Sequence, residues 1–268
     1  MLVNQAKNKE LVAPEFLSPS SIGTFRQCPL KFKYSKIDGL PDPSGQEAIL
    51  GNYVHDVLEK LYKLSPNLRT QEQAKLLARE LWDSRWEEKT SSVVRGEKEL
   101  NRFRWAAWWC IEHLWEFENP TSFTPSKMEC FVTGEIGGVK MRGYIDRILI
   151  GDKNVTISDY KTGKTPREID LPEKFFQLIT YSQLLSHLGI EFDEIDVELL
   201  YLRDPVRFKR RVTQEDLNSA IETIQETKRN IDESCKSGNF PHKKSVLCGW
   251  CSFKKICPAW GNNERQIN

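Results

Sequence analysis

The chain has no run of about eighteen consecutive apolar residues, so no membrane-spanning helix is expected. Its first ten residues, Met1–Glu10, are polar and lack the apolar core of a secretory leader. A cytoplasmic location with no membrane partner is therefore expected. Excess charge is also lacking: 39 lysines and arginines face 38 aspartates and glutamates, for a net charge of +1. Bulk electrostatics accordingly neither demands nor excludes a nucleic-acid partner. No Gly-x-x-x-x-Gly-Lys-Ser/Thr loop is present, which excludes motor chemistry built on that phosphate loop. Internal repeats and low-complexity tracts are missing too, which excludes a repeat solenoid.

What is present describes a rather polar globular protein. Its 268 residues, 39% apolar and 29% charged, suffice for a substantial core as one elaborated domain or two closely joined lobes. Seven cysteines in a cytoplasmic chain read as metal ligands or core residues rather than disulfides, and the odd count points the same way. Local charge is uneven. Arg203, Arg207, Lys209, Arg210 and Arg211 crowd one stretch, and Lys243, Lys244, Lys254 and Lys255 flank the last cysteines. Such clusters serve either as phosphate contacts or as solvated loops, and charge alone does not separate the two.

Ser18-Pro-Ser-Ser21 has the chemistry of a helix start, and that helix runs through Phe25 to a pause near Cys28-Pro29. After the loop 40–45, residues 46–64 carry an apolar stripe at helical spacing that includes Leu50, Tyr53, Val54, Val57, Leu58 and Leu61. Two more helices are expected over 71–89 and 97–118. The second holds Trp105, Trp108, Trp109 and Trp115, and aromatics at helical spacing are read as core rather than as a base-stacking platform. From Lys127 a strand pattern takes over: 128–135, 139–150 and 155–160, with Gly137-Gly138 as the first hairpin turn. A helix over 173–188 follows, then strands over 195–202 and 207–212. A long helix capped by Thr213 reaches Cys235. This order implies an α/β fold, a mixed β-sheet with helices packed on it. A single domain over 1–268 is expected, with a mainly helical lobe over 18–120, a sheet core over 126–212 and a C-terminal helix and cysteine-bearing segment over 213–260.

Two acids mark the sheet. Gly143-Tyr-Ile-Asp146 and Asp159-Tyr-Lys161 lie on consecutive strands, with the turn 151–154 between them. In such a hairpin the carboxylates can lie close together, and Lys161 shares the face of Asp159 because strand side chains alternate with period two. Carboxylates suit Mg²⁺ or Mn²⁺, and burying them among Tyr and Ile is costly without a cation. Two carboxylates and an amine fit metal-assisted phosphodiester hydrolysis, with Lys161 orienting or deprotonating the water. The plainer reading of Lys161 is a surface lysine before the turn at Thr162-Gly163-Lys164. His55 lies in the apolar stripe of its helix and by itself reads as a core residue. Only if that helix faces the carboxylates does it complete a mixed His/Asp site. Gln177 and Tyr181, four apart, share a helix face and can both hydrogen-bond a phosphate.

Taken in order, His55, Gly143-Tyr-Ile-Asp146, Asp159-Tyr-Lys161-Thr-Gly163 and Gln177-x-x-x-Tyr181 resemble the RecB-type branch of the PD-(D/E)XK nuclease superfamily, over about residues 17–258. The resemblance implies a restriction-endonuclease-like sheet core. It implies a catalytic metal held by His55, Asp146, Asp159 and the Tyr160 carbonyl, Lys161 as the catalytic lysine, and Gln177 and Tyr181 on the DNA strand. The implied activity is a metal-dependent DNA exonuclease acting on single-stranded ends in DNA processing, repair or recombination, with any unwinding left to a helicase partner. The rival is a non-catalytic DNA-binding or assembly subunit, against which the intact acids and lysine argue.

Cys248-Gly-Trp-Cys251 followed by Cys257 gives C-x₂-C-x₅-C, three thiolates that need a fourth ligand. Cys28, in Phe25-Arg-Gln-Cys28-Pro29, is the best candidate. Spacing alone leaves zinc and an iron–sulfur cluster nearly balanced. The set is similar to that of iron–sulfur nucleases in the same superfamily, the AddB-type subunits and CRISPR-associated RecB-like exonucleases. That similarity implies a [4Fe–4S] cluster on Cys28, Cys248, Cys251 and Cys257 that staples the chain ends around the nuclease core. Cys110, Cys130 and Cys235 are read as packing residues.

Overall fold

The computed structural model describes residues 11–260. Nine α-helices and five strands are found among them: α1 Pro19–Gln27, α2 Pro29–Phe32, α3 Gln46–Lys63, α4 Gln71–Leu81, α5 Glu87–Ser91, α6 Glu97–Glu112, α7 Leu114–Phe117, β1 Lys127–Ile136, β2 Val139–Ile150, β3 Asn154–Lys161, α8 Leu171–Leu184, β4 Glu194–Tyr201, β5 Val206–Arg211 and α9 Gln214–Ser237. The strands lie in the order β1-β2-β3-β4-β5. β2 pairs antiparallel with β3, β3 parallel with β4, and β4 antiparallel with β5. The parallel pair requires a crossover, which α8 supplies by packing on β3 and β4. The expected α/β architecture, a mixed sheet flanked by helices, is the one observed.

By compactness the chain divides into two units, each assembled from separated stretches. Among the described residues, one comprises 11–43, 134–142 and 221–260; the other comprises Ser44–Thr133 and Gly143–Ala220. In the second unit α3, α4 and α6 enclose a core of Val54, Val57, Leu58, Leu61, Ala107 and Ile111, closed from the sheet by Tyr160 and Leu200. The α9 start is a reciprocal cap: the Thr213 N–H donates to Asp216, whose own N–H donates to Thr213 Oγ1. In the first unit Ser18 and Ser21 form the same kind of box at α1. There Leu17 bridges Met141 in parallel, through Leu17 N–H to Lys140 O and Arg142 N–H to Leu17 O, both 2.9 Å. Gly137 and Gly138 both take positive φ, 56° and 81°, as a tight hairpin turn demands.

The tryptophan-rich helix departs from expectation. The buried stripe of α6 is Phe103, Ala107, Cys110 and Ile111, spaced for one helical face. Trp105 and Trp109 fall on the other side and are 63% and 58% exposed, so they are not core residues. Among the cysteines read as packing residues, Cys110 and Cys235 are buried and Cys130 is half-buried. Among the described residues, no helix is long and apolar enough to cross a membrane.

Candidate active site

The β2–β3 ladder runs from Ile150↔Val155 to Arg147↔Ser158. One step beyond it, Asp146 and Asp159 come together, 7% and 3% exposed. Each is held by a partner from elsewhere in the chain. Asp146 Oδ2 accepts the Tyr160 backbone N–H at 2.8 Å. Asp159 Oδ1 accepts from Gln177 Nε2 at 3.2 Å. Asp159 Oδ2 is buried, and its partner is the Lys161 ammonium at 2.5 Å.

His55 arrives from α3. Its Nε2 lies 2.8 Å from the Tyr160 carbonyl oxygen, which can only accept, so Nε2 carries the proton. Nδ1 then faces Asp146 Oδ2 at 3.5 Å and Glu129 Oε1 at 3.6 Å. Ligand atoms of His55, Glu129 and Asp146 all fall within 4.8 Å of one another. Sequence reasoning missed Glu129. Its signal is conformational: φ is +44°, and no other non-glycine among the described residues has a positive φ. A left-handed residue inside β1 re-aims its side chain, as a bulge does, and such strain concentrates at functional sites. Nothing in the spacing of Met128-Glu-Cys130 announces it.

The electrostatics follow from crowding. Burial pushes the Asp146 carboxyl well above the carboxylate range, and Asp159 and Glu129 add to the rise against the pull of His55. For His55, burial opposes its charge, but Asp146, Glu129 and Asp159 outweigh it and push the imidazole up to about 9. Lys161 is also raised, because the Asp159 carboxylate outweighs its desolvation. Its nitrogen is therefore an ammonium, suited to orienting water and neutralising charge rather than to taking a proton. An acid-rich, partly buried site whose carboxylates crowd one another has the donor chemistry that a divalent cation satisfies. A cavity of about 350 Å³ opens onto His55 and Glu129, lined also by Arg85, Lys89 and Tyr144.

Gln177 and Tyr181 both turn inward. Gln177 holds Asp159, and Tyr181, 6% exposed, lays its ring against Gly143. A Cβ at position 143 would meet Tyr181 ring atoms at 2.5 Å, which explains the glycine three residues before Asp146. Burial pushes the Tyr181 phenol up to about 12.

The basic stretch on β5 is largely neutralised. Arg207 faces Glu118 and Glu198 at 3.7 Å, Lys209 faces Asp196 at 3.3 Å, Arg210 faces Asp216 at 2.5 Å, and Arg211 faces Glu194 and Asp196 at 2.6 and 2.7 Å. These cations are paired to acids of the fold rather than left free for phosphates.

In the other unit, Cys28, Cys248, Cys251 and Cys257 line one cavity of about 240 Å³, together with Tyr34 and Trp260. Cys28 is the N-cap of α2, and the other three lie on the turns of 245–257. Ser245 N–H donates to Cys248 Sγ at 3.4 Å. No three of these sulfurs come within 4.8 Å of one another.

Comparison with known proteins places the geometry in a family. The Gene 69 protein of Mycobacterium phage L5 is 23% identical over 128 residues, 47% of this chain and 42% of that protein, so the chain spans less than half of the phage protein's length. A solved structure from Eubacterium rectale, named "Putative exonuclease", superposes with a TM-score of 0.58 at 16% identity, covering 100% of this chain and 96% of the other. At that identity the likeness is one of fold. The sequence pattern of the PD-(D/E)XK nuclease superfamily matches residues 16–258, a span that holds the whole carboxylate site. With acids on two paired strands, a lysine two residues past the second acid and a mixed sheet beneath them, the chain belongs to the PD-(D/E)XK nuclease superfamily.

Proposed function

We propose that this protein is a divalent-metal-dependent deoxyribonuclease that hydrolyses phosphodiester bonds from single-stranded DNA ends. The observation that carries the proposal is the donor set: an imidazole and two acids within 4.8 Å, beside the buried Asp159 carboxylate paired to Lys161. When bound, Mg²⁺ or Mn²⁺ supplies Lewis-acid stabilisation of the phosphate and a lowered pKa for the attacking water. The residues that would hold it are His55 through Nδ1, Asp146, Asp159 and Glu129. The Tyr160 carbonyl accepts from His55 Nε2 and so fixes the tautomer, the usual arrangement around a ligating histidine. A cation on Nδ1 would lie across the ring from that oxygen, so in this arrangement the carbonyl positions His55 instead of sharing the ion. Gln177 orients Asp159, Tyr181 seats the glycine of β2, and the Lys161 ammonium orients the water and offsets charge on the phosphate. The exonuclease form follows the name of the Eubacterium rectale protein and the RecB-like order of the motifs.

The same proposal assigns a [4Fe–4S] cluster to Cys28, Cys248, Cys251 and Cys257, in support of the fold rather than of the reaction. The four cysteines line one cavity, and the likeness of their pattern to that of iron–sulfur nucleases favours a multi-iron centre over zinc. The segment also needs a cross-link. Over 238–260 the buried large hydrophobics are Phe240 and Phe253, while Val246, Leu247, Trp250, Ile256 and Trp260 are exposed. So little apolar burial does not hold twenty-odd residues of turns in place by itself.

The test is cleavage of 5′- and 3′-end-labelled single-stranded DNA by the purified protein with Mn²⁺, beside Lys161→Ala. Cleavage by the wild type, reduced at least a hundredfold in the variant, is expected. Equal cleavage by both, or none by the wild type, overturns the nuclease reading and leaves a non-catalytic subunit.

A further inference from the structure

Two exposed tryptophans on α6 have no part in the core. Trp105 lines a cavity of about 250 Å³ between α4 and α6, together with Trp82, Trp108, Lys75, Arg79 and Arg104; no acid lines it. None of those three cations forms an ion pair with a described residue. Lys75 instead lies 5.9 Å from the Trp108 ring centroid, and Arg104 lies 5.2 Å from that of Trp82. This contrasts with β5, where the cations face carboxylates.

Trp109 follows Trp105 by four residues and so shares its side of the helix. It lines a second cavity, of about 330 Å³, with Arg102, Arg203 and Thr162, where Glu47 and Asp204 add negative charge. Thr162 directly follows Lys161. The outer side of α6 thus links an acid-free cavity of indoles and cations to the residue beside the catalytic lysine.

We propose that this face is a track for single-stranded nucleic acid, with bases on Trp105 and Trp109 and phosphates on Lys75, Arg79, Arg104 and Arg102, leading toward Lys161. The inference rests on the nuclease reading for its direction, though not for its contacts. Flat aromatic faces beside cations recognise unpaired bases whatever their sequence, because every base has a stackable face and every link a phosphate. A duplex keeps its bases stacked inside and offers the indoles nothing.

The experiment measures binding of fluorescent dT₃₀ in EDTA, where no cleavage occurs, by the wild type, Trp105→Ala/Trp109→Ala and Trp105→Phe/Trp109→Phe. Folding is checked by circular dichroism. The alanine pair is expected to weaken dT₃₀ binding about tenfold or more. The phenylalanine pair is expected to keep most of the affinity, since it keeps the rings. Lys75→Ala/Arg104→Ala lowers the salt dependence, by about 1.4 in the slope of log K against log salt. A folded alanine pair that binds dT₃₀ like the wild type overturns the track, as does equal weakening on a blunt duplex of the same length. An acidic protein as the true occupant of this face would give the first of these results. Wild-type protein that binds dT₃₀ through the tryptophans yet cuts nothing overturns the nuclease reading alone.

Discussion

In the carboxylate cluster the backbone is fully ordered, and charge is the difficulty. Asp146 and Asp159 are paired into β2 and β3, are nearly fully buried, and share their space with Glu129. In the thiol cavity Lys31, Lys243 and Lys254 line the space beside the thiols with no acid among them, and order is the difficulty. Three of its four cysteines sit on short turns that bury little apolar surface. A cation in the first place therefore relieves repulsion in a structure that already exists. The cluster proposed for the second would supply structure, because metal-binding energy becomes folding energy where turns bury little apolar surface.

The largest test of that contrast is a pair of variants read for activity and stability together. Asp146→Asn should lower cleavage by about a thousandfold or more, yet raise the melting temperature measured in EDTA, since a buried charge has gone. Cys251→Ala should do the reverse in stability: loss of iron and visible absorption, a melting temperature lower by about 10 °C, and faster proteolysis within 238–260. An Asp146→Asn protein that melts lower in EDTA, or a colourless Cys251→Ala protein that melts like the wild type, breaks the contrast.

The next effect concerns pH. Asp146, raised to about 7, and His55, raised to about 9, both bind protons more tightly in the folded chain than in the unfolded one. For His55 the stabilisation is complete below about 6.5 and is lost as pH rises through the folded value. For Asp146 the cost of burying charge appears as pH climbs from about 4 to the raised value. Metal-free stability should thus fall from weakly acidic to alkaline pH. A bound cation competes with the same protons, so the rise in melting temperature given by Mg²⁺ should be larger at pH 9 than at pH 6. A rise independent of pH would remove proton competition from the account. The smallest effect is expected at Gly143. Gly143→Ala should cost about 1–3 kcal/mol by overpacking against Tyr181. In a double-mutant cycle with Tyr181→Ala, most of that cost should disappear.

Much of the fold was legible because its signals are local. Helical periodicity placed α3 within one residue, Gly137-Gly138 placed the first hairpin, and Thr213 placed the start of α9. The acids and Lys161 were legible because a period of two assigns strand faces without further knowledge. Trp105 and Trp109 misled, while Trp108 packs against the core as expected, because periodicity reports a stripe but not which stripe is covered; α3 and α4 cover the one holding Phe103 and Ala107. The row Arg147, Ser158 and Glu198, joined by hydrogen bonds across three adjacent strands, went unread because each member looks like an ordinary surface residue.

The sequence by itself determined the element order, the hairpin that carries Asp146 and Asp159, and the pattern that marks the superfamily, since all of these depend on neighbours a few residues apart. Only the tertiary structure decided that His55 meets Tyr160 across 105 residues, that Glu129 joins the site through a left-handed backbone, and that the β5 cations pair with acids while Lys75 and Arg104 lie against indole rings. The physical reason is range. Propensity and periodicity act along the chain, whereas ion pairing, burial and donor convergence depend on distances that exist only after the sheet and helices have packed.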